Sequence, residues 1–261
     1  MDARVDFDGL KLELDHKIRE SDWEGLDNLL GQLSQRQPAL SSGQISFLRQ
    51  QYASTWWRTV NCLADVRLER RCHRHTEFVR ACFLDNEFAD SYLRDYRHEH
   101  LDNPERFCEV LSQERLIPPL VAEAIHWVAV RGDEPVGLVS VASMQWRHRS
   151  GEFLVGFPIE NSSIVSVSAS ILAIQYCFQV LQFEKLFSYV HSDNLISQKS
   201  TESLGFSREG LLREEFLNRQ TGKRMDLIRN GLLASEFDSD RIRRLSKRLG
   251  LSLLAEHSVT G

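Results

Sequence analysis

The most constraining feature of the sequence is a strand–helix–strand pattern between residues 152 and 190. Residues 152–158 are apolar and predict a strand, residues 166–181 predict a long apolar helix, and residues 185–190 predict a second strand. Two strands joined in this way need a crossover connection, so we expect them to run parallel in one sheet. The pattern therefore predicts an α/β (α+β) protein organised around this unit.

The flanking sequence predicts an antiparallel meander before the unit and a hairpin after it. Strand patterns at 126–131 and 136–144 surround a turn at 132–135, and a second return follows at about 147–151. A short helix and a final hairpin are predicted downstream. The remaining predicted elements are a first strand at 66–71 and helices at 76–84, at 86–96 and from Asn103 onward.

Residues 1–65 are predicted to form a helical N-terminal extension. Apolar residues recur at helical spacing, and Ser21 and Glu24 have the spacing of a capping box. Two interpretations stay open: helices packed on the main domain, which we favour, or a docking module for a partner protein. The main domain is predicted at 66–237. Residues 238–261 are predicted to form a C-terminal helix and tail.

Composition and charge narrow the functional classes. The formal net charge of −5 argues against a nucleic-acid-binding protein. The cluster Arg67, Arg70, Arg71 and Arg74 is predicted to be a solvated surface run. Five cysteines, an odd number without a Cys-x-x-Cys pair, favour reduced thiols in a cytoplasmic protein. We expect no metal site and no membrane segment.

A motif pattern in the last third of the chain carries a family resemblance. Asn194-Leu195-Ile196-Ser197 is followed by Leu204-Gly205-Phe206, by Glu209-Gly210 and by Gly231-Leu232-Leu233. Together with the strand–helix–strand unit, this pattern resembles the GNAT N-acetyltransferases, in particular the branch that includes the ribosomal-protein N-terminal acetyltransferases. The resemblance covers residues 66–237. It implies a mixed central sheet with splayed parallel strands and flanking helices.

The resemblance also implies a place for acetyl-CoA as the acyl donor. The pantetheine arm would lie between the splayed strands, against Val155, Gly156 and Phe157. Asn194 would hydrogen-bond the arm or the intermediate, and Ser197 would lie near the thioester sulfur as a proton donor. Capping of the following helix is the alternative explanation for Asn194 and Ser197.

The phosphate-binding turn departs from the family pattern. The family usually has a basic residue followed by Gly-x-Gly, and glycine lets the backbone approach a phosphate closely. Here both glycines and the basic residue are missing. The serine hydroxyls and backbone amides could bind the phosphates, or the serines could simply cap the central helix. The positions are Asn161, Ser162, Ser163, Ile164, Val165 and Ser166.

Two carboxylates are candidates for the base that deprotonates the amine. Glu152 begins the first splayed strand. Glu215 lies on the strand after the Gly-Phe turn, beside Glu214, and in a regular strand only one of these two can face the site. A surface ion pair is the competing role for each of them. An acid–base glutamate would need a pKa raised by burial.

These observations predict an N-acyltransferase, most simply an N-acetyltransferase, that acts on a primary amine of a small molecule or a protein. The altered phosphate turn keeps two alternatives open. One is a donor presented by an acyl-carrier protein that docks on the N-terminal helices. The other is a non-catalytic binding or regulatory protein with the same fold.

Overall fold

The computed structural model describes residues 7–36, 40–52, 60–63, 65–92, 100–114, 122–158, 163–218 and 221–237, together with residues 244 and 247. The predicted C-terminal helix at 240–254 lies outside this part of the chain except for residues 244 and 247. No helix among the described residues is long and apolar enough to cross a membrane. The four cysteines whose side chains are described form no disulfide.

Eight strands form one mixed sheet in the order β1-β2-β3-β4-β5-β6-β8-β7. All neighbouring strands are antiparallel except β5 and β6, which run parallel as predicted. The bounds are β1 Val60–Leu63, β2 Val66–Arg70, β3 Ile125–Arg131, β4 Glu134–Gln145, β5 Ser150–Gly156, β6 Lys185–His191, β7 Ser207–Leu217 and β8 Arg224–Leu233.

Helices cover both faces of this sheet. Helices α4–α6 pack on one face in a small hydrophobic cluster, whereas α7 packs on the other face in a larger one. The bounds are α1 Phe7–Glu20, α2 Trp23–Gln32, α3 Ser42–Tyr52, α4 Thr76–Leu84, α5 Asn86–Tyr92, α6 Pro104–Glu114, α7 Ser163–Gln175 and α8 Leu195–Ser203.

The N-terminal helices share the larger core with α7 and the sheet. Their buried leucines, such as Leu14 and Leu26, belong to the same continuous cluster as Trp127 of β3. The predicted helical region also ends earlier than residue 65, because Val60–Leu63 pairs with β2 as an edge strand. The division of the chain at residues 65 and 237 stays a prediction.

Local signals set most helix starts, although one differs from the prediction. Helix α2 is capped by Asp22, whose Oδ1 accepts the Gly25 N–H at 2.9 Å, and not by Ser21 as the capping-box pattern predicted. Aspartate is an equally good N-cap, so either residue fits the pattern. Helix α6 begins as predicted, with Asn103 accepting the Arg106 N–H.

The central helix and the first hairpin each differ from the prediction in one local feature. Helix α7 gives way after Gln175 to a π-helical turn, Tyr176–Val180, where Leu181 N–H donates to the Tyr176 carbonyl. The hairpin between β3 and β4 needs only residues 132 and 133 as its loop, because Arg131 pairs directly with Glu134.

The predicted solvated arginine run is wrong for two of its members. Arg70 and Arg71 are each 4% exposed. Arg71 forms an ion pair with Glu114 of α6, with Nη2 2.5 Å from a carboxylate oxygen. A buried cation of this kind needs a partner, which α6 supplies from the face opposite to the N-terminal helices.

A buried ion pair fastens the end of β2 to the start of α4. Glu69 accepts from Arg67 Nε at 2.7 Å and lies 3.2 Å from His75 Nε2. Hydrogen bonding to His75, assisted by Arg67, lowers the pKa of Glu69 from 4.5 to about 2 against the effect of burial. Burial acts to lower the pKa of His75, but hydrogen bonds with Cys72 and Glu69 outweigh it and raise the pKa above 6.5.

This pair predicts a defined pH window of stability. Below pH 4.5 the unfolded chain binds the Glu69 proton before the folded chain does, so stability is lost as the pH falls towards 2. Above pH 6.5 the unfolded chain releases its His75 proton first, so that contribution is lost as the pH rises through the folded pKa. Glu69→Gln is expected to lower the free energy of unfolding by about 2 kcal/mol inside this window and to flatten both slopes.

Urea unfolding at a series of pH values measures this effect. Glu77→Gln is the matched control, since Glu77 pairs with Arg80 but is 81% exposed in its side chain. The control is expected to change stability by less than about 0.5 kcal/mol. A Glu69→Gln profile that runs parallel to the wild-type profile would contradict the assignment.

Candidate active site

Strands β5 and β6 begin as a parallel pair and then separate. Their ladder contains three residue pairs and ends at Glu152 opposite Phe187. Beyond that point β5 continues along β4 and β6 continues along β8, with Gly156 opposite Leu138 and Val190 opposite Ile228. The separated halves therefore leave a gap through the sheet, as the resemblance implied.

A cavity of about 320 Å³ occupies this gap. Its volume is at the lower end of the range for small-molecule sites. Two of its aromatic walls, Phe153 and Phe206, stack with ring centroids 5.9 Å apart. The lining also includes Tyr92, Val155, Phe157, Ser166, Ser188, Asn194 and Ser197.

Several predicted donor-binding residues lie in this cavity. Val155, Phe157 and Ser166 line it. Gly156 lies between the first two, and a Cβ at that position would stand 2.7 Å from the rings of Phe88 and Tyr92. Glycine is therefore required here by the close approach of α5 to β5.

The predicted phosphate turn is described only in its second half. Asn161 and Ser162 lie outside the described residues, and Ser163 is the first residue of α7. Ile164 is partly exposed, whereas the Val165 side chain is buried in the larger core. A role in phosphate binding stays a prediction for all six positions, 161–166.

Asn194 and Ser197 meet at the start of α8, beside the cavity. The Asn194 Oδ1 accepts the Ser197 N–H at 2.9 Å, so Asn194 is the N-cap of this helix. The cap uses only the oxygen of the amide and the backbone of Ser197. Among the described residues, the Asn194 amide nitrogen and the Ser197 hydroxyl make no hydrogen bond, and both residues line the cavity. The capping role and a role towards a ligand are therefore compatible.

Neither candidate base lines the cavity. Glu152 is half-buried in the last residue pair of the β5–β6 ladder, and Glu215 is exposed on β7. The expectation that Glu214 and Glu215 alternate across a regular strand is wrong. The register of β7 shifts between Leu212 and Phe216, and Glu214 has a φ of 54° with its N–H bonded to Asp226.

Ser188 and Tyr92 are among the cavity residues that had no predicted role. Ser188 of β6 is buried, and its hydroxyl makes no hydrogen bond with the described residues. A serine inside the apolar strand 185–190 was a signal for it in the sequence, because an isolated polar residue there must find a partner or a ligand. Tyr92 ends α5, and nothing in its sequence neighbourhood distinguished it from a core tyrosine.

The site holds no cluster of three or more metal-binding side chains, nor does any other part of the described chain. The cavity walls also contain no Asp, Glu, Lys or Arg among the described residues. Chemistry in this cavity therefore rests on hydroxyl, amide and backbone groups and on the imidazole of His191.

No family model matches the sequence. A curated relative, the uncharacterized N-acetyltransferase YoaA of Bacillus subtilis (strain 168), is 26% identical over 147 residues, which are 53% of this chain and 77% of the relative. The relative and the separated parallel strands agree with the motif pattern. The chain is similar in sequence to a GNAT-type N-acetyltransferase.

Two solved structures share the GNAT fold. Spermidine N-acetyltransferase of Vibrio cholerae, in complex with CoA and spermine, has a TM-score of 0.56 and 23% identity, and the match covers 66% of this chain and 98% of that one. Mycobacterium smegmatis RimJ, in complex with CoA-disulfide, has a TM-score of 0.63 and 17% identity, with 76% and 98% covered. Of these two structures, RimJ is more similar in fold to this chain.

Proposed function

We propose that this protein is an N-acyltransferase that moves an acetyl group from acetyl-CoA to a primary amine. The observation that carries the proposal is the cavity between the separated halves of β5 and β6, with the start of α8 at its side. A cavity bounded by strand edges suits a pantetheine arm, because its amides can bond to backbone groups that no neighbouring strand uses.

Acetyl-CoA is the preferred donor among the alternatives. The two solved structures of the same fold contain CoA or its disulfide. A carrier-protein donor has no such support. The start of α7 is the proposed position of the pyrophosphate, where free backbone N–H groups and the positive end of the helix dipole favour an anion.

The buried hydroxyl of Ser188 provides a test of donor binding. Ser188→Ala is expected to weaken the binding of acetyl-CoA about tenfold, because a hydrogen bond to the arm is lost. The unliganded protein should keep its stability, since the hydroxyl has no partner among the described residues. Isothermal titration with acetyl-CoA, and with desulfo-CoA as a thioester-free ligand, measures the effect.

Ser168 is a matched control for this measurement. Its hydroxyl is also buried without a hydrogen bond to the described residues, but Ser168 lies on α7 and does not line the cavity. Ser168→Ala is expected to leave the Kd of acetyl-CoA unchanged. Equal losses in the two variants would argue against the cavity as the donor site, and no binding by the wild type would favour the non-catalytic alternative.

The proposed acceptor is an α-amino group of a peptide or small molecule rather than a polyamine. The described cavity walls carry no Asp or Glu that could pair with a protonated polyamine, so an amine that is already neutral has the advantage. An α-amino group has a pKa of about 7.7–8.0, against about 10.4 for a lysine side chain. At pH 7.5 roughly a quarter of the α-amino groups are neutral, but only roughly a thousandth of the lysine side chains.

A comparison of acceptors tests this assignment. Peptides with a free α-amine are expected to be acetylated faster than spermine or an N-terminally blocked peptide with one lysine. The rate with the lysine peptide should rise about tenfold per pH unit between pH 7 and pH 9, because the neutral fraction of the lysine amine rises by the same factor. Spermine turning over fastest at pH 7 would overturn the acceptor class while leaving the acetyl transfer itself in place.

A further inference from the structure

A buried chain of hydrogen bonds runs from the cavity wall into the α4–α6 side of the protein. The Tyr92 hydroxyl lies 2.5 Å from Ser140 Oγ of β4, and Ser140 Oγ lies 2.6 Å from His126 Nδ1 of β3. His126 Nε2 lies 3.1 Å from Glu114 Oε1, and Glu114 also receives the Arg71 guanidinium. The chain of hydrogen bonds thus joins four elements and begins at Tyr92, a residue that lines the cavity.

The chemistry of these groups fixes the direction of every proton in the chain. Glu114 is a carboxylate beside Arg71 and can only accept, so His126 Nε2 carries the proton. Neutral His126 then has an acceptor at Nδ1, to which Ser140 must donate. Ser140 Oγ is left as the acceptor for Tyr92, whose hydroxyl proton therefore points away from the cavity. The Tyr92 oxygen keeps its remaining acceptor capacity.

We propose that Tyr92 positions the attacking amine by accepting one of its N–H groups, and that Ser140, His126 and Glu114 hold the Tyr92 oxygen as an acceptor. This inference rests on the proposed acetyl transfer. A neutral amine has two N–H groups and one lone pair. Binding of one N–H by a fixed oxygen leaves the lone pair free to turn towards the thioester carbonyl, which is the orientation that attack requires.

The surroundings of His126 keep this arrangement unchanged over the working pH range. Burial, assisted by the positive charges of Arg71 and Arg70, lowers the pKa of His126 to about 3 in spite of Glu114. His126 is therefore neutral at neutral pH, and the chain cannot store a proton taken from the amine. The role of this chain is to orient the amine, and the amine proton leaves by another route.

The Tyr92 hydroxyl also stays protonated. Burial raises the pKa of Tyr92, with Cys82 and Glu114 acting in the same direction and Arg71 and the bond to Ser140 opposing. Because neither His126 nor Tyr92 titrates near neutral pH, the contribution of the chain to the rate should be independent of pH.

Tyr92→Phe tests the inference, with Tyr52→Phe as the matched control. Both tyrosines are buried and each makes one short side-chain hydrogen bond, since Tyr52 donates to Asp15 at 2.6 Å among the N-terminal helices. Both variants lose only the hydroxyl and keep the aromatic ring of the side chain. Tyr92→Phe is expected to lower kcat/KM for the amine about tenfold at unchanged Kd for acetyl-CoA. Tyr52→Phe is expected to match the wild type in both quantities.

Two further readouts separate positioning from a merely structural role. The ratio of wild-type to Tyr92→Phe kcat/KM should stay constant from about pH 6.5 to about pH 9. Ser140→Ala should also lower kcat/KM. The double variant Tyr92→Phe/Ser140→Ala should lose no more than Tyr92→Phe alone, because both changes break the same chain of hydrogen bonds.

Four other results would overturn the inference, each for a different reason. Tyr92→Phe activity within twofold of Tyr52→Phe would show that the hydroxyl does not touch the amine. A tenfold higher Kd of Tyr92→Phe for acetyl-CoA would indicate that the Tyr92 hydroxyl bonds an amide of acetyl-CoA and not the amine. A ratio that changes with pH would indicate proton transfer through the chain. A wild-type protein that binds no acetyl-CoA and acetylates no amine would overturn the proposed function, and this inference with it.

Discussion

Ser197→Ala is expected to lower the kcat of amine acetylation about 100-fold while the KM for acetyl-CoA changes by less than about threefold. General acid catalysis contributes a factor of about 100 or more, and the leaving thiolate is the group that needs a proton here. The Ser197 hydroxyl makes no hydrogen bond with the described residues and belongs to the cavity wall, so it is available for this step. Steady-state kinetics with a thiol-detecting assay measures both constants.

The cap on α8 allows the effect of Ser197→Ala to be interpreted without a change in the helix. Asn194 bonds the backbone N–H of Ser197, which alanine retains, so the start of the helix should be unchanged. Ser203→Ala, at the exposed end of the same helix, is the control and is expected to keep wild-type kcat. A Ser197→Ala enzyme with full kcat would assign proton donation to water or to another group, and Ser197 would then contribute only its backbone N–H to the helix cap.

Trp127→Ala is expected to lower the free energy of unfolding by about 3–5 kcal/mol, the range for large-to-small changes of buried aromatic residues. Trp127 of β3 is 1% exposed and packs edge-on against Tyr176, with ring centroids 5.5 Å apart. It lies in the core that holds α7 and the N-terminal helices against the sheet. Its removal leaves a void that rigid strands cannot close.

Urea unfolding followed by circular dichroism measures this loss. Trp146→Ala is the control, because Trp146 lies partly exposed in the turn after β4 and should cost less than half as much. Trp127→Phe keeps part of the ring and is expected to fall between wild type and alanine, so it remains measurable if the alanine variant does not fold. Equal losses for Trp127→Ala and Trp146→Ala would contradict the shared-core description.

Periodicity was enough to predict most elements of the sheet. The parallel pair β5–β6 follows from the strand–helix–strand order, and β3 and β4 follow from alternating apolar residues on either side of Gly132. These signals are local, since a period of two residues and a crossover helix are visible within one window. Strand β1 was missed because Val60–Leu63 is a short edge strand that follows a long helical pattern.

Burial of charge could not be predicted in the same way. Arg70 and Arg71 have the sequence context of a solvated run, and only the fold brings Glu114, 43 residues away from Arg71, to its guanidinium. The chain from Tyr92 to Glu114 was hidden for the same reason. Its members come from four separate elements, and the contact between Tyr92 and Ser140 spans 48 residues.

The candidate site was predicted in part. Asn194 and Ser197 line the cavity because the start of a helix fixes both residues at once, so their spacing is informative. Glu152 and Glu215 do not line it, because which face a strand residue occupies depends on where the ladder ends and where a bulge intervenes. The serine turn before α7 stays a prediction.

The irregularity in β7 has a consequence for how this protein behaves at high concentration. Strand β7 is an outer edge of the described sheet and is eleven residues long, so its unpaired backbone groups could recruit a strand from another molecule. The positive φ of Glu214 and the register shift around it interrupt that row of donors and acceptors. Exposed Arg208, Glu209 and Arg213 add charge along the same edge. The protein should therefore resist fibrillar self-association, and straightening this segment by deleting residues of the bulge would remove the protection.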